Sequence, residues 1–137
     1  MIRAVIDTNV LVSAMLSPRG NERLVLLAIE QNFIEPCFSS SILLEYLEVL
    51  GRRKFSFAQD EITTLIQMFR SHGASYESET SPISLPDPDD EKFVSCAVAA
   101  KAPFIVTGNR RHFGLLPIAN TKVVNAGQFL DYVTREP

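Results

Sequence analysis

Apolar residues along the chain fall into two different rhythms. Short, mostly apolar runs at residues 2–6, 104–106 and 122–124 are too brief for helices and rich in Val and Ile, so they read as buried strands. Residues 35–38 make a fourth such run. Between these runs the apolar positions spread to helical spacing, most cleanly at Ile62, Leu65, Ile66 and Phe69, which fall at i, i+3, i+4 and i+7. The pattern predicts helices over residues 9 to about 16, 21–31 and 56–71, and one from the Ser39-Ser40-Ser41 stretch to about residue 50. Two more follow, one entered at Pro88 and running to 101, the other capped by Asn125 and running to about 133. Strands alternating with helices imply a parallel sheet covered on both faces.

Turn chemistry supports these boundaries. Ser17-Pro18-Arg19-Gly20 closes the first helix. Residues 78–88, rich in Ser, Pro and acids, read as a connecting loop, because neither flank is long enough to stand alone. With 137 residues, 46% of them hydrophobic and 21% charged, the chain is expected to form one globular domain spanning 1–137. No apolar run approaches the roughly 20 residues of a membrane span, and the N-terminal run reaches Asp7 before any cleavable small-residue site. Cys37 and Cys96 lie far apart in apolar contexts, as reduced core residues of a cytoplasmic protein would. The net charge of −3 argues against a sequence-specific DNA binder. It argues less against a metal-dependent nuclease, whose acids depress the net charge while bound cations restore the local balance.

The candidate chemistry is acidic. Asp7 ends the first strand and opens Asp7-Thr8-Asn9-Val10, which places a carboxylate at the carboxyl edge of the sheet, where open α/β folds bind ligands. The plain alternative is a helix N-cap worth about 1 kcal/mol. A phosphoacceptor of the haloacid-phosphatase type would want a second Asp where Asn9 stands, and a dinucleotide fold would want a Gly-rich turn that is missing here. Glu45 lies at the margin of the apolar arc formed by Ile42, Leu43, Tyr46, Leu47, Val49 and Leu50, with a salt bridge to Arg52 or Arg53 as the plain alternative. In Asp87-Pro88-Asp89-Asp90-Glu91, Asp87 suits an N-cap and the other acids suit a helix start. Only Asp90 projects to the middle of the stripe made by Phe93, Val94, Ala97 and Ala100, so it ranks first as a ligand and Asp87 second. Thr107-Gly108-Asn109 ends another strand, and Asn109 offers either an amide oxygen or a cap. Arg110 and Arg111 are candidates for holding phosphate. His112 and His72 lack ligand-like spacing and read as surface or packing residues. Acids gathered at one edge would repel one another unless a hard cation joined them, which suggests a phosphodiester substrate.

The ordered set Val5-Ile6-Asp7-Thr8-Asn9-Val10, Glu45, Asp87-Pro88-Asp89-Asp90 with Phe93, and Ile105-Val106-Thr107-Gly108-Asn109 resembles a PIN domain over nearly the whole chain. In its compactness it resembles the VapC-like toxins of toxin–antitoxin pairs. The resemblance implies an α/β fold, a three-layer α/β/α sandwich with a central parallel sheet. It also implies Mg2+- or Mn2+-dependent endoribonuclease activity, a homodimer, and a small antitoxin protein as partner. Asp7, Glu45 and Asp90 match the family's first three acids, with Asp87 a further metal candidate and Asp90 and Glu91 exchangeable on spacing alone. Asn109 stands at a fourth position that is usually Asp, which removes one negative charge. Thr8 and Thr107 would orient acids or water, and Asn9, Thr107, Arg110 and Arg111 would face the substrate. The rival readings are a catalytically weak or inactive PIN-like module that binds RNA or protein, and a receiver-like phosphoacceptor on Asp7.

Overall fold

Strand β1 (Ile2–Ile6) shows why the sheet must be covered on both sides: every residue except Arg3 is buried, including neighbours that point to opposite faces. The computed structural model describes residues 1–78, 84–114, 118 and 120–135. After β1 come α1 (Thr8–Leu16), α2 (Asn21–Glu30), β2 (Ile34–Phe38), α3 (Ser40–Leu50), α4 (Gln59–His72), β3 (Ala74–Ser75), α5 (Glu91–Ala100), β4 (Phe104–Val106), β5 (Lys122–Val124) and α6 (Ala126–Arg135). The strands form one five-stranded sheet in the order β3-β2-β1-β4-β5. Each of its pairings is parallel, with Val5 opposite Cys37 on one side and Ile105 on the other. Helix α5 packs across β1, β2 and β4, whereas α2 and α4 pack on β2, α6 packs on β4, and α2 touches both α4 and α6. The result is the three-layer α/β/α arrangement that the resemblance implies.

Local chemistry explains most boundaries. Ser39 caps α3 by accepting from the Ile42 amide at 3.3 Å. Asn125 and Gln128 form a reciprocal capping box at the start of α6, with bonds of 2.8 and 3.0 Å. Pro36 is tolerated inside β2 because β3 pairs only with Cys37 and Phe38, leaving the strand uncontested beside the proline. At Gly73, between α4 and β3, a Cβ would sit 2.0 Å from the Pro36 carbonyl oxygen, so the chain passes where no side chain fits.

The structure corrects several sequence expectations. Strand β3 is too short and too polar to have shown an apolar rhythm. The helix expected over 56–71 starts at Gln59, because Arg53–Phe55 form a separate 3-10 turn and Ser56 takes a left-handed conformation at φ 54°. The helix expected over 88–101 is divided. Pro88–Asp90 form a 3-10 turn, and Lys101, at φ 53°, ends α5 with a paired closure of the Lys101 and Ala102 amides onto Val98 and Ala97. Residues 79–83, the centre of the expected connecting loop, lie outside the described residues. Cys37 and Cys96 are free and buried, and burial pushes both thiols up to about 12.

Candidate active site

The strand order reverses direction between β1 and β4: the chain first builds outward through β2 and β3, then returns across β1 to lay down β4 and β5. The carboxyl ends of β1 and β4 therefore flank the topological switch point, the place where open α/β sheets bind ligands. Asp7 follows β1 and Thr107 follows β4. They are joined twice, since the Asp7 amide donates to the Val106 carbonyl at 2.8 Å and the Thr107 hydroxyl donates to Asp7 Oδ2 at 2.7 Å. Having given its proton to Asp7, Thr107 Oγ1 accepts from the Asn109 amide at 3.0 Å and from Asn9 Nδ2 at 3.4 Å. Asn9 Oδ1 in turn accepts the Gly108 amide at 2.9 Å. The Asp7 side chain makes no cap bond to α1. Its orientation is set by the neighbouring strand rather than by the helix it precedes.

Two helices bring in the other acids. On α3, Tyr46 is fully buried and donates its hydroxyl to the Ile6 carbonyl, which fixes the neighbouring Glu45 beside the end of β1. Glu45 Oε2 accepts from the Thr8 hydroxyl, and Glu45 Oε1 pairs with Lys92 Nζ at 2.7 Å. The plain alternative for Glu45, a salt bridge to Arg52 or Arg53, is not what forms. Arg52 pairs with Glu48, four residues before it on the exposed side of α3. At the entrance to α5, Asp90 is only 14% exposed, and its Oδ2 is buried with no hydrogen-bond partner. Glu91, exchangeable with Asp90 by spacing, turns away to accept the Leu85 amide at 3.0 Å. Asp87 is exposed and caps the turn by accepting from the Asp89 amide at 3.0 Å.

Electrostatics tie these side chains into one cluster. Burial raises the Asp7 carboxyl above its ordinary range; the Thr107 hydroxyl pulls it back, and the Glu45 carboxylate pushes it further up. Burial raises Asp90 to about 6, assisted by repulsion from Asp7, Asp87 and Glu45, and His112 works against the rise. Distant positions 7, 45 and 90 therefore feel one another's charge.

Sequence reading passed over Lys92 and took His112 for a surface or packing residue; His112 is exposed, and it also stands beside Asp90. His112 Nδ1 stands 3.6 Å from Asp90 Oδ2, too long for a hydrogen bond, and its Nε2 lies 3.0 Å from Asn109 Nδ2. The signal was its neighbour: Phe113 is buried edge-on against Phe93 of α5, and that anchor carries the turn Arg110–Phe113 to the acids. Lys92 is the only Lys or Arg between Arg70 and Lys101, and it directly follows the acidic run. Arg110 and Arg111 are exposed beyond Asn109, beside an open cleft of about 910 Å3 lined by Gly108, Asn109, Arg110, Arg111, Asn125 and Gln128 among others. None of the three acids lines that cleft.

The donors suit a hard divalent cation. They are carboxylate oxygens, one of them buried without a hydrogen-bond partner, in a cluster where burial and neighbouring acids raise the proton affinity of Asp7 and Asp90. Among the described residues, no three His, Cys, Asp or Glu side chains form a ready-made cage. A cation that keeps several waters does not need one. No helix among the described residues is long and apolar enough to cross a membrane.

Comparison with known proteins supplies the family. An uncharacterized protein of Methanocaldococcus jannaschii is 33% identical over 112 residues, covering 80% of this chain and 72% of that protein. The structure of VapBC2 from Rickettsia felis bound to a DNA fragment from their promoter matches with a TM-score of 0.59 over 90% of this chain and 98% of the matched one. At 17% identity that likeness speaks for the fold alone. The family model of the PIN domain matches residues 3–111, and on that match the chain belongs to the PIN domain family.

Proposed function

We propose that the protein is a metal-dependent endoribonuclease, with Asp7, Glu45 and Asp90 as the acids of its divalent-cation site and Asn109 completing the polar ring. PIN domains are generally nucleases, and the observation that carries the reading here is the buried Oδ2 of Asp90, which has no hydrogen-bond partner and belongs to a carboxyl raised by burial and by the Asp7 and Glu45 carboxylates. A bound Mg2+ or Mn2+ supplies positive charge for the phosphate and acidity for the attacking water. The chain's own groups do the rest. Thr107 holds Asp7 in one orientation, and Asn9 braces the turn after β4. Arg110 and Arg111, exposed at the same edge, neutralise the phosphates flanking the scissile one. Asp87 stands at the outer side of the cluster as a reserve ligand for the cation.

The reading extends to this chain being the toxin of a toxin–antitoxin pair, a homodimer in the cytoplasm held by a small antitoxin protein; the fold it shares with VapBC2 supports the antitoxin partner alone. Asn109 and the Glu45–Lys92 ion pair favour a second reading, a PIN-like module that binds RNA or protein with weak turnover. One assay separates the two. Purified protein, freed of host nucleases, is incubated with structured RNA under Mg2+, Mn2+ or chelator, beside an Asp7→Asn variant. The nuclease reading expects cleavage that needs the cation and disappears in the variant. Indistinguishable cutting by the two proteins would overturn the site, and metal-independent RNA binding without cutting would leave the binding module.

A further inference from the structure

We propose that Lys92 is a built-in counter-cation that limits the acid cluster to a single divalent ion. The inference rests on the divalent-cation reading above and goes beyond it to the number of ions held. Lys92 leaves α5 two residues after Asp90 and crosses to α3, where Nζ lies 2.7 Å from Glu45 Oε1. The two side chains are 22% and 20% exposed, against 47% and 62% for the Arg52–Glu48 pair on the outer side of the same helix. Salt and water weaken an exposed pair such as Arg52–Glu48 far more than a shielded one. Glu45's second oxygen is taken by the Thr8 hydroxyl, so the chain itself provides a partner for each of its oxygens. Asp90 is the opposite case, with a buried oxygen and no hydrogen-bond partner.

The charge count follows from these contacts. Asp7, Glu45, Asp90 and the outlying Asp87, whose charge reaches Asp90, contribute four negative charges, Lys92 returns one positive, and Asn109 adds none. The remainder of three negative charges accommodates one divalent cation, whereas without Lys92 the four acids would balance two. A second divalent ion would leave the cluster net positive before any phosphate arrived, and it would have to displace an ammonium already hydrogen-bonded to Glu45. Lys92 thus occupies the electrostatic place of a second metal. It acts through Glu45, as a positioning residue.

Metal counting tests this without reference to activity. Mn2+ uptake by the full chain is measured by calorimetry and by loss of the free-ion electron-spin-resonance signal, for wild type, Lys92→Met and Lys92→Arg. Wild type and Lys92→Arg are expected to take up one ion per chain. Lys92→Met, of similar length but uncharged, is expected to take up two, the first at least about tenfold more tightly than wild type. Near-ultraviolet circular dichroism and retained single-ion uptake by Lys92→Arg distinguish a charge effect from lost folding. Two ions in wild type, or one in both wild type and Lys92→Met, would overturn the inference and leave the nuclease reading standing. Uptake by Lys92→Met alone would overturn it too, since Lys92 would then block the site outright. No specific uptake by any of the three would sink the divalent-cation reading itself.

Discussion

The two sides of the acid cluster are built differently. On the strand side, Asp7 is fixed by a ladder bond to β4, a hydroxyl bond from Thr107 and the Asn9 brace behind it, so its geometry is settled as the sheet forms. On the helix side, charge rather than geometry is the organising term: Glu45 is neutralised by Lys92, and Asp90 faces the cluster without a hydrogen-bond partner. The strand side is complete as folded. The helix side stores unfavourable charge that the proposed cation would relieve, and such strain is the usual mark of a functional site rather than of a stabilising one.

Substitution of Asp90 probes that difference with the largest expected effect. In Asp90→Asn the cleavage rate should fall on the order of 10^2–10^3-fold, as for loss of a group that organises transition-state charge. The metal-free protein should at the same time become more stable by about 1 kcal/mol, because a buried uncompensated charge has gone. Opposite movements of kcat and of the melting temperature, read on one preparation, are the signature; a stability loss would mean that Asp90 is part of the scaffold. On the strand side, Thr107→Val should lower activity or metal affinity about 10–100-fold, the usual cost of losing a residue that orients a ligand. Unlike Asp90→Asn, it should bring no gain in stability. Equal activity of Thr107→Val and wild type would show that Asp7 needs no orientation from β4.

The same contrast explains what could be read from the residue order. Strand-borne features were legible: β1 stops before Asp7 because the mostly apolar run, broken only by Arg3, ends there, and β4 stops before Thr107-Gly108-Asn109 because its apolar run ends. Placing Asp90 inward of Glu91 followed from the buried stripe of α5, and the Leu85 amide explains where Glu91 went instead. Helix-to-helix partnerships were not legible. Glu45 lies 47 residues before Lys92, and nothing in the periodicity of α3 or α5 reports how their faces meet. The surface reading of His112 agrees with its exposure, but its nearness to Asp90 was not legible, because that position is set by the burial of Phe113 against Phe93, a contact made only in the fold. Strand β3 escaped because two residues carry no rhythm.

Tyr46 joins the two sides, since its hydroxyl runs from α3 to the carbonyl of Ile6, the residue before Asp7. Its ring is fully buried and packs edge-on against Phe69 at 5.5 Å, so Tyr46→Phe keeps the packing and removes only the bond. The expected cost is about 1 kcal/mol of stability by denaturant titration. A small loosening of metal binding should accompany it as Glu45 shifts relative to Asp7. If affinity is unchanged while stability falls, the helix side positions itself independently of this joint.

Acidity gives the finest test of the stored charge. The Asp90 carboxyl sits at about 6 in the folded chain against an ordinary 3.8, and burial raises Asp7 in the same direction. Between those values the folded protein binds more protons than the unfolded one, so these groups make the metal-free protein lose stability as pH rises through the window. Other carboxylates work the opposite way near its lower end; Glu77, held down by the Ser40 amide, is one. The comparison is therefore cleanest between pH 5 and pH 7, and as a difference between proteins. In chelator, the melting temperature of Asp90→Asn minus that of wild type should grow with pH across this interval. In saturating Mn2+ the sign should change, because the ion binds the ionised acids of wild type and displaces their protons. A difference in chelator that shrinks with rising pH, or stays constant, would mean that the Asp90 carboxylate is already compensated within the fold and that the helix side stores no charge for a cation to relieve.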